Sequence, residues 1–167
     1  MMRFRFDIFF SIAQTPDTTG QTPSEGEMFA SFFDQVELAD NLGFGVGWVA
    51  QAHPSTEVQQ GNSKPVVPHF SGEVGLCTDF FQLAGHMLSR TERMEVGSAV
   101  MSILASGGPI DQAERVGSFL ALHGMTPSKC RRLHIGFSEG RLAFMDRPYG
   151  IVPRDTRAAR EGPGGRV

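Results

Sequence analysis

Cysteine is scarce in this chain of 167 residues, and the two that occur, Cys77 and Cys130, belong to no CxxC or other metal-spaced motif. Two cysteines cannot build the disulfide framework of a small secreted domain, and this usage is typical of free thiols in a reducing compartment. No His, Asp and Glu residues have the spacing of metal ligands, so we expect no metal site. No apolar run approaches the ~20 residues of a membrane helix. The apolar run from Ile8 to Ala13 is too short for a signal peptide. We therefore expect a cytoplasmic protein with no membrane partner.

An excess of positive charge is also missing. The formal net charge is −3, and no basic patch is interleaved with aromatic residues, which gives no reason to expect a nucleic-acid partner. The chain contains neither a GxSxG elbow nor a P-loop. What it does contain is 40% hydrophobic residues, 14 of them Phe, and 20% charged residues, which is the composition of a globular domain.

The spacing of apolar residues predicts short strands that alternate with amphipathic helices. Ser24 and Glu27 form a capping box before the first helix, and Pro109 suits the first turn of the last helix. The segment 51–75 shows no clean periodicity and is predicted to be a long loop. The strands are expected at 4–10, 45–50, 94–100 and 132–137, and the helices at 25–42, at 79–90 and from Pro109 to Gly124.

This alternation predicts an α/β fold with a parallel sheet and crossover helices. An open doubly wound sheet and a (β/α)8 barrel both fit. A dinucleotide-binding sheet needs GxGxxG straight after its first strand, but the first glycine here is Gly20, which favours the barrel. A whole barrel needs roughly 250 residues. We therefore expect residues 1–154 to form the N-terminal half of a TIM-type barrel, about four βα units of a truncated domain. A disordered tail is expected at 155–167.

Four blocks of sequence, in this order and spacing, resemble the luciferase-like flavin-dependent monooxygenases over residues 3–154. The blocks are Arg5–Phe10, Glu37–Phe44 followed by Trp48 and His53, Arg90–Val100, and Pro109–His123 followed by Leu133–Phe137 and Tyr149–Gly150. The resemblance implies a TIM-type barrel that uses reduced FMN, O2 and a small organic substrate, with a flavin reductase as partner. Two alternative functions remain: a deazaflavin-dependent reductase of the same fold, and a non-catalytic truncated or frameshifted product. The protein could also form a homo-oligomer.

The resemblance also implies roles for residues after the predicted strands, where barrel active sites are built. His53 corresponds to an essential histidine that moves protons during oxygen chemistry, although Gln51 stands where the family often has Glu. Ala99 and Val100 would pack against the flavin ring, and their peptide bond is at the place where some relatives have a non-proline cis bond. Ser138 and Arg141 would lie near the flavin phosphate. The competing interpretations are a loop histidine, an ordinary buried strand and a surface arginine.

Four strands cannot close a barrel, so the first and last strands would both expose unpaired edges. We expect Phe4, Phe6, Val96 and Ile135 to lose their packing partners. The chain alone should then be marginally stable, should aggregate or pair with another half-barrel, and should bind FMN poorly.

Overall fold

The computed structural model describes residues 4–51, 79–126, 130–138 and 150. Four strands and three helices alternate along these residues, close to the predicted positions. They are β1 (Ile8–Phe10), α1 (Glu25–Leu42), β2 (Val46–Val49), α2 (Phe80–Arg90), β3 (Glu95–Ser102), α3 (Gly108–Gly124) and β4 (Leu133–Ser138). The predicted loop from 52 onward and the predicted tail at 155–167 lie outside the described residues.

The four strands form one sheet in the order β1-β2-β3-β4, and every neighbouring pair is parallel. This confirms the predicted order and direction. Trp48 lies opposite Phe9 on one side and Gly97 on the other, and Gly97 lies opposite His134. The pairing of β3 with β4 shifts between Ser98 and Met101. The result is an α/β fold in which sequential strands are joined by helices, the arrangement of half of a (β/α)8 barrel.

Strand β1 is shorter than the predicted 4–10. The backbone carbonyl of Phe6 still accepts a hydrogen bond from Gly45 N, at 2.7 Å. The next amide, Val46 N, donates to the Asp7 carboxylate at 2.9 Å. A side chain therefore replaces a backbone acceptor at this point, and regular strand pairing begins only at Ile8.

Local sequence signals account for the helix starts. The Ser24 hydroxyl accepts from Glu27 N while the Glu27 carboxylate accepts from Ser24 N, which is the predicted capping box. The Asp79 carboxylate accepts from the amides of Phe81 and Gln82 at the start of α2. Pro109 occupies the first turn of α3, as predicted.

The hydrophobic core lies between the helices and one face of the sheet. Its fully buried members include Val36 of α1, Met87 of α2 and Val96 of β3, and the rings of Phe10 and Phe32 meet edge to face at 5.2 Å. The expectation that Val96 and Ile135 lose their partners is therefore wrong. Alternation along a strand turns both of them toward the helices, where Ile135 also packs against the core.

Asp40 of α1 ties the helical layer to the amino end of β3. Its buried carboxylate accepts hydrogen bonds from the amides of Glu92, Arg93 and Met94, at 2.9, 3.0 and 2.6 Å. Burial by itself would raise the pKa of Asp40, but the three amide donors outweigh it and hold this pKa below its ordinary value. Asp40 is thus an ionised anchor between two elements that are distant in sequence.

None of the helices within the described ranges combines the length and apolarity needed to cross a membrane. In the same ranges, no group of three or more His, Cys, Asp or Glu side chains is placed to hold a metal ion.

Candidate functional site

The face of the sheet that points away from the helices carries the chemically distinctive side chains, and we call it the open face. Its residues are Phe9, Trp48, Gly97, Val100, His134 and Gly136. Phe9 alternates with Ile8 and Phe10, which pack on the helical side, and Phe9 is 58% exposed. Trp48 packs across Gly97, where an added Cβ would lie 2.4 Å from the indole ring. The open face therefore depends on glycine in β3 to seat the indole of the neighbouring strand.

The carboxyl end of the open face is built from small and apolar residues of β3 and β4. The peptide bond between Ala99 and Val100 is cis, at the position that the family resemblance indicated. Val100 is 45% exposed. A Cβ added at Gly136 would lie 2.5 Å from the backbone oxygen of Ser98 and 3.1 Å from Val100 Cγ1. Only glycine at position 136 lets β4 approach β3 this closely. The Val100 side chain next to it remains exposed at the surface.

Ser98 fastens the two strands at this end. Its buried hydroxyl accepts a hydrogen bond from Gly136 N at 3.0 Å and donates to Gly136 O at 2.9 Å. These bonds lie where the register of β3 and β4 begins to shift, after Ser98. Next to the Ala99–Val100 peptide, the serine hydroxyl thus takes the place of a backbone partner for Gly136.

Ser138 ends β4 opposite Ser102 of β3, and its carbonyl accepts from Ile103 N at 3.0 Å. Three predicted site residues, Ala99, Val100 and Ser138, therefore share the carboxyl ends of two adjacent strands. The other two, His53 and Arg141, lie outside the described residues. The structure brings together the members of the predicted site that it describes.

Two cavities lie elsewhere on the described surface. One, of about 480 Å³, lies beside the carboxyl end of β1 and is lined by Ser11, Ile12 and Ala13 together with Glu27 and Phe32 of α1. It is lined by none of the three site residues above. The other, of about 860 Å³, is a groove between α2 and α3.

The amino end of the open face carries a charged network that sequence analysis did not identify. Arg5 Nη2 donates to Glu95 Oε2 at 2.6 Å, and His134 Nε2 donates to the same oxygen at 2.7 Å. Trp48 Nε1 donates to Asp7 Oδ2 at 3.2 Å, and Arg5 Nε lies 3.4 Å from the other oxygen of Asp7. These five side chains connect the segment before β1 with β2, β3 and β4.

Hydrogen bonds shift the pKa of two groups in this network, Glu95 and Arg5. Partial burial would raise the pKa of Glu95, but the hydrogen bonds from Arg5 and His134 outweigh it and lower the pKa. The hydrogen bond to Glu95 likewise raises the pKa of Arg5. One feature of the sequence could have revealed this network. Arg5 and Asp7 alternate with apolar residues, so both charged side chains lie on one side of an otherwise apolar segment.

Comparison with known proteins gives a consistent picture. The sequence model of the luciferase-like monooxygenase family matches residues 2–121. No curated protein sequence matches the chain significantly.

Two solved structures share the fold. One is the oxygenating constituent of 3,6-diketocamphane monooxygenase from the CAM plasmid of Pseudomonas putida, a type II Baeyer-Villiger monooxygenase in complex with FMN. It is 12% identical, with a TM-score of 0.57 over 90% of this chain and 33% of that chain. The other is apo-MsnO8, 18% identical, with a TM-score of 0.58 over 98% of this chain and 43% of that chain. The chain thus corresponds to less than half of the length of each of these structures.

Proposed function

Because the chain belongs to the luciferase-like monooxygenase family, we propose that it supplies the flavin-ring-binding part of a flavin-dependent monooxygenase. The proposed reaction uses reduced FMN and O2 to oxygenate a small organic substrate. The FMN complex of one similar structure supports the choice of flavin. A flavin reductase would supply the reduced flavin, and the scarce cysteines favour a cytoplasmic location.

The observation that carries the proposal is the surface at the Ala99–Val100 peptide. A flavin ring is flat and largely apolar, so its binding surface needs an exposed apolar side chain with no bulky neighbour above it. Val100 is such a side chain, and Gly136 beside it contributes no side chain at all. The described residues at this point therefore fit the ring of a flavin.

The remaining roles follow the family resemblance. Ser138 and Arg141 would bind the flavin phosphate, Ser138 through its hydroxyl and Arg141 through a bidentate guanidinium. His53 would hold and move a proton close to the reacting centre, because an imidazole titrates near neutral pH. When bound, the reduced flavin supplies the electrons that activate O2. The protein's part is to orient the ring against Val100 and to deliver the proton.

A flavin titration of the whole chain tests this assignment. Because the chain alone is expected to bind FMN poorly, the titration needs high protein concentration; we expect quenching of FMN fluorescence there, and Val100→Glu to weaken the binding by a further ~10-fold, since a carboxylate would be desolvated against the ring. Leu122→Glu is the matched control, because Leu122 is 70% exposed in the last turn of α3, on a different element from Val100. Equal FMN affinity in the wild type and Val100→Glu would contradict the proposal.

Two further arms separate the alternative functions. Tighter binding of a deazaflavin than of FMN would favour the reductase of the same fold. Flavin binding without formation of an oxygenated product, when reduced FMN and a ketone such as 3,6-diketocamphane are supplied, would favour a non-catalytic product. The ketone is chosen because it appears in the name of one similar structure.

A further inference from the structure

Strand β3 contains one residue more than β4 near its carboxyl end. Ser98 pairs with Ile135 and the next pair is Met101 with Phe137, so three steps along β3 match two steps along β4. An extra residue of this kind forms a β-bulge, which interrupts the backbone ladder and changes the direction of the side chains beside it. The bulge lies at the Ala99–Val100 peptide, within the candidate flavin surface.

The bulge changes the side of the sheet that Val100 faces. Side chains alternate along a regular strand, so Val100 would share the helical side with Val96, which is fully buried in the core. Val100 is instead exposed on the open face. Because β3 has the extra residue, the Val100 side chain is directed toward the surface that we assign to the flavin ring.

The hydroxyl of Ser98 holds the two strands together at the bulge. The Ser98 side chain is buried, accepts a hydrogen bond from Gly136 N at 3.0 Å and donates one to Gly136 O at 2.9 Å. A hydroxyl can donate and accept at once, so one side chain satisfies both peptide groups of the residue opposite the bulge. Gly136 is also a neighbour of Val100, because a Cβ at position 136 would lie 3.1 Å from Val100 Cγ1.

We infer that Ser98 is a positioning residue for the flavin ring: its hydroxyl holds β4 against the bulge and thereby fixes the direction of the Val100 side chain. This inference rests on the proposed function, because it concerns the same surface. Ser98 itself is buried and acts through Gly136 and Val100. Without the hydroxyl, the N–H and C=O groups of Gly136 lose these partners, and the bulge can relax toward regular pairing.

The test compares two variants that each remove one buried hydroxyl. Ser98→Ala is matched by Thr91→Val, because the buried Thr91 hydroxyl also donates one hydrogen bond, to Met87 O at 2.8 Å, and accepts one, from Arg131 Nη1 at 3.0 Å. Thr91 precedes the amino end of β3, whereas Ser98 lies in its carboxyl half. We expect similar decreases of the urea denaturation midpoint in the two variants, since each loses two hydrogen bonds.

FMN affinity should separate the two variants. Fluorescence titration at high protein concentration should show about 10-fold weaker FMN binding in Ser98→Ala and unchanged binding in Thr91→Val. Ser98→Cys tests the hydrogen bonds themselves, because a thiol is a weaker donor and acceptor than a hydroxyl. Its FMN affinity should lie between those of the wild type and Ser98→Ala. If circular dichroism shows that Ser98→Ala does not fold, Ser98→Cys takes its place in the comparison with Thr91→Val.

Two results would overturn the inference. One is equal FMN affinity in the wild type and Ser98→Ala. The other is an equal loss of affinity in Thr91→Val, which would mean that Ser98 contributes only to overall stability. Val100→Glu, titrated in the same series, distinguishes this inference from the proposed function. If Val100→Glu weakens FMN binding and Ser98→Ala does not, only the role of Ser98 fails. If Val100→Glu binds FMN as the wild type does, the proposed function itself fails.

Discussion

The two ends of the open face differ in their side chains: the amino end is charged, and the carboxyl end is small and apolar. At the amino end, the charged side chains are paired with one another. Glu95 accepts hydrogen bonds from Arg5 and His134, and Arg5 also forms an ion pair with Asp7. At the carboxyl end, the exposed Val100 lies beside Gly136, whose backbone is hydrogen-bonded to the buried Ser98 hydroxyl. Groups that already have partners fix a structure, whereas an exposed apolar surface is available to a ligand. The comparison supports the proposal that the first end serves stability and the second end binds the flavin, a division that is usual in barrels of this type.

The largest effect is expected where the amino end is anchored to the helices. Asp40→Ala should reduce the free energy of unfolding by about 3 kcal/mol, because three amides before β3 lose their charged acceptor. Urea denaturation measures this loss. Asp34→Ala, at an exposed position of the same helix, should change stability by less than about 0.5 kcal/mol. Equal losses in the two variants would mean that Asp40 is no anchor.

A comparable effect, on turnover instead of stability, is expected for the proposed acid–base residue. His53→Ala should lower flavin-dependent oxygen consumption by ~10²-fold, the usual contribution of a general acid or base. The rate is measured with reduced FMN in excess, after the oxidation of free flavin has been subtracted. His86→Ala, at an exposed position of α2, is the control. Unchanged turnover in His53→Ala would remove this residue from the catalytic assignment.

The smallest effect concerns the pH dependence of the charged network. A carboxyl whose pKa is lower in the folded than in the unfolded chain stabilises the fold above its unfolded value, and this contribution is lost as the pH falls. Glu95 has such a lowered pKa, relative to an ordinary value of 4.5. We expect Glu95→Gln to cost about 1 kcal/mol near neutral pH.

The same variant should resemble the wild type below the folded pKa of Glu95, where the wild-type carboxyl is protonated as well. Urea denaturation midpoints across this acid range would show the two curves converging. Glu114→Gln, at an exposed position of α3, should run parallel to the wild type throughout. A constant difference between Glu95→Gln and the wild type at every pH would show that the ionised carboxylate is not the stabilising group.

Sequence patterns predicted the order and direction of the elements because these depend on local periodicity and caps. Ser24, Glu27 and Pro109 mark helix starts through contacts within one turn, and such signals can be read without a partner. The start of β1 was misplaced because it depends on Asp7 accepting a hydrogen bond from the amide of Val46, a contact across 39 positions. The burial of Val96 required knowing which face the helices cover.

Only those parts of the site that match the family's sequence pattern could be predicted. The resemblance indicated the Ala99–Val100 peptide, whereas nothing in the local sequence distinguishes Glu95 or His134 from ordinary strand residues. Their significance comes from parallel pairing, which sets β3 beside β4 in a particular register. The flavin contacts of Ala99, Val100 and Ser138 and the roles of His53 and Arg141 stay predictions.

Trp48 is the only tryptophan of the chain, and its indole lies on the open face with Asp7 on one side and His134 on the other. Its ring centroid is 5.6 Å from that of His134. Intrinsic fluorescence of this protein therefore arises from one known position, between a carboxylate and an imidazole. Emission excited at the indole band reports directly on the middle of the sheet, with no label and no background from other tryptophans. The chain carries its own optical probe of whatever approaches that face.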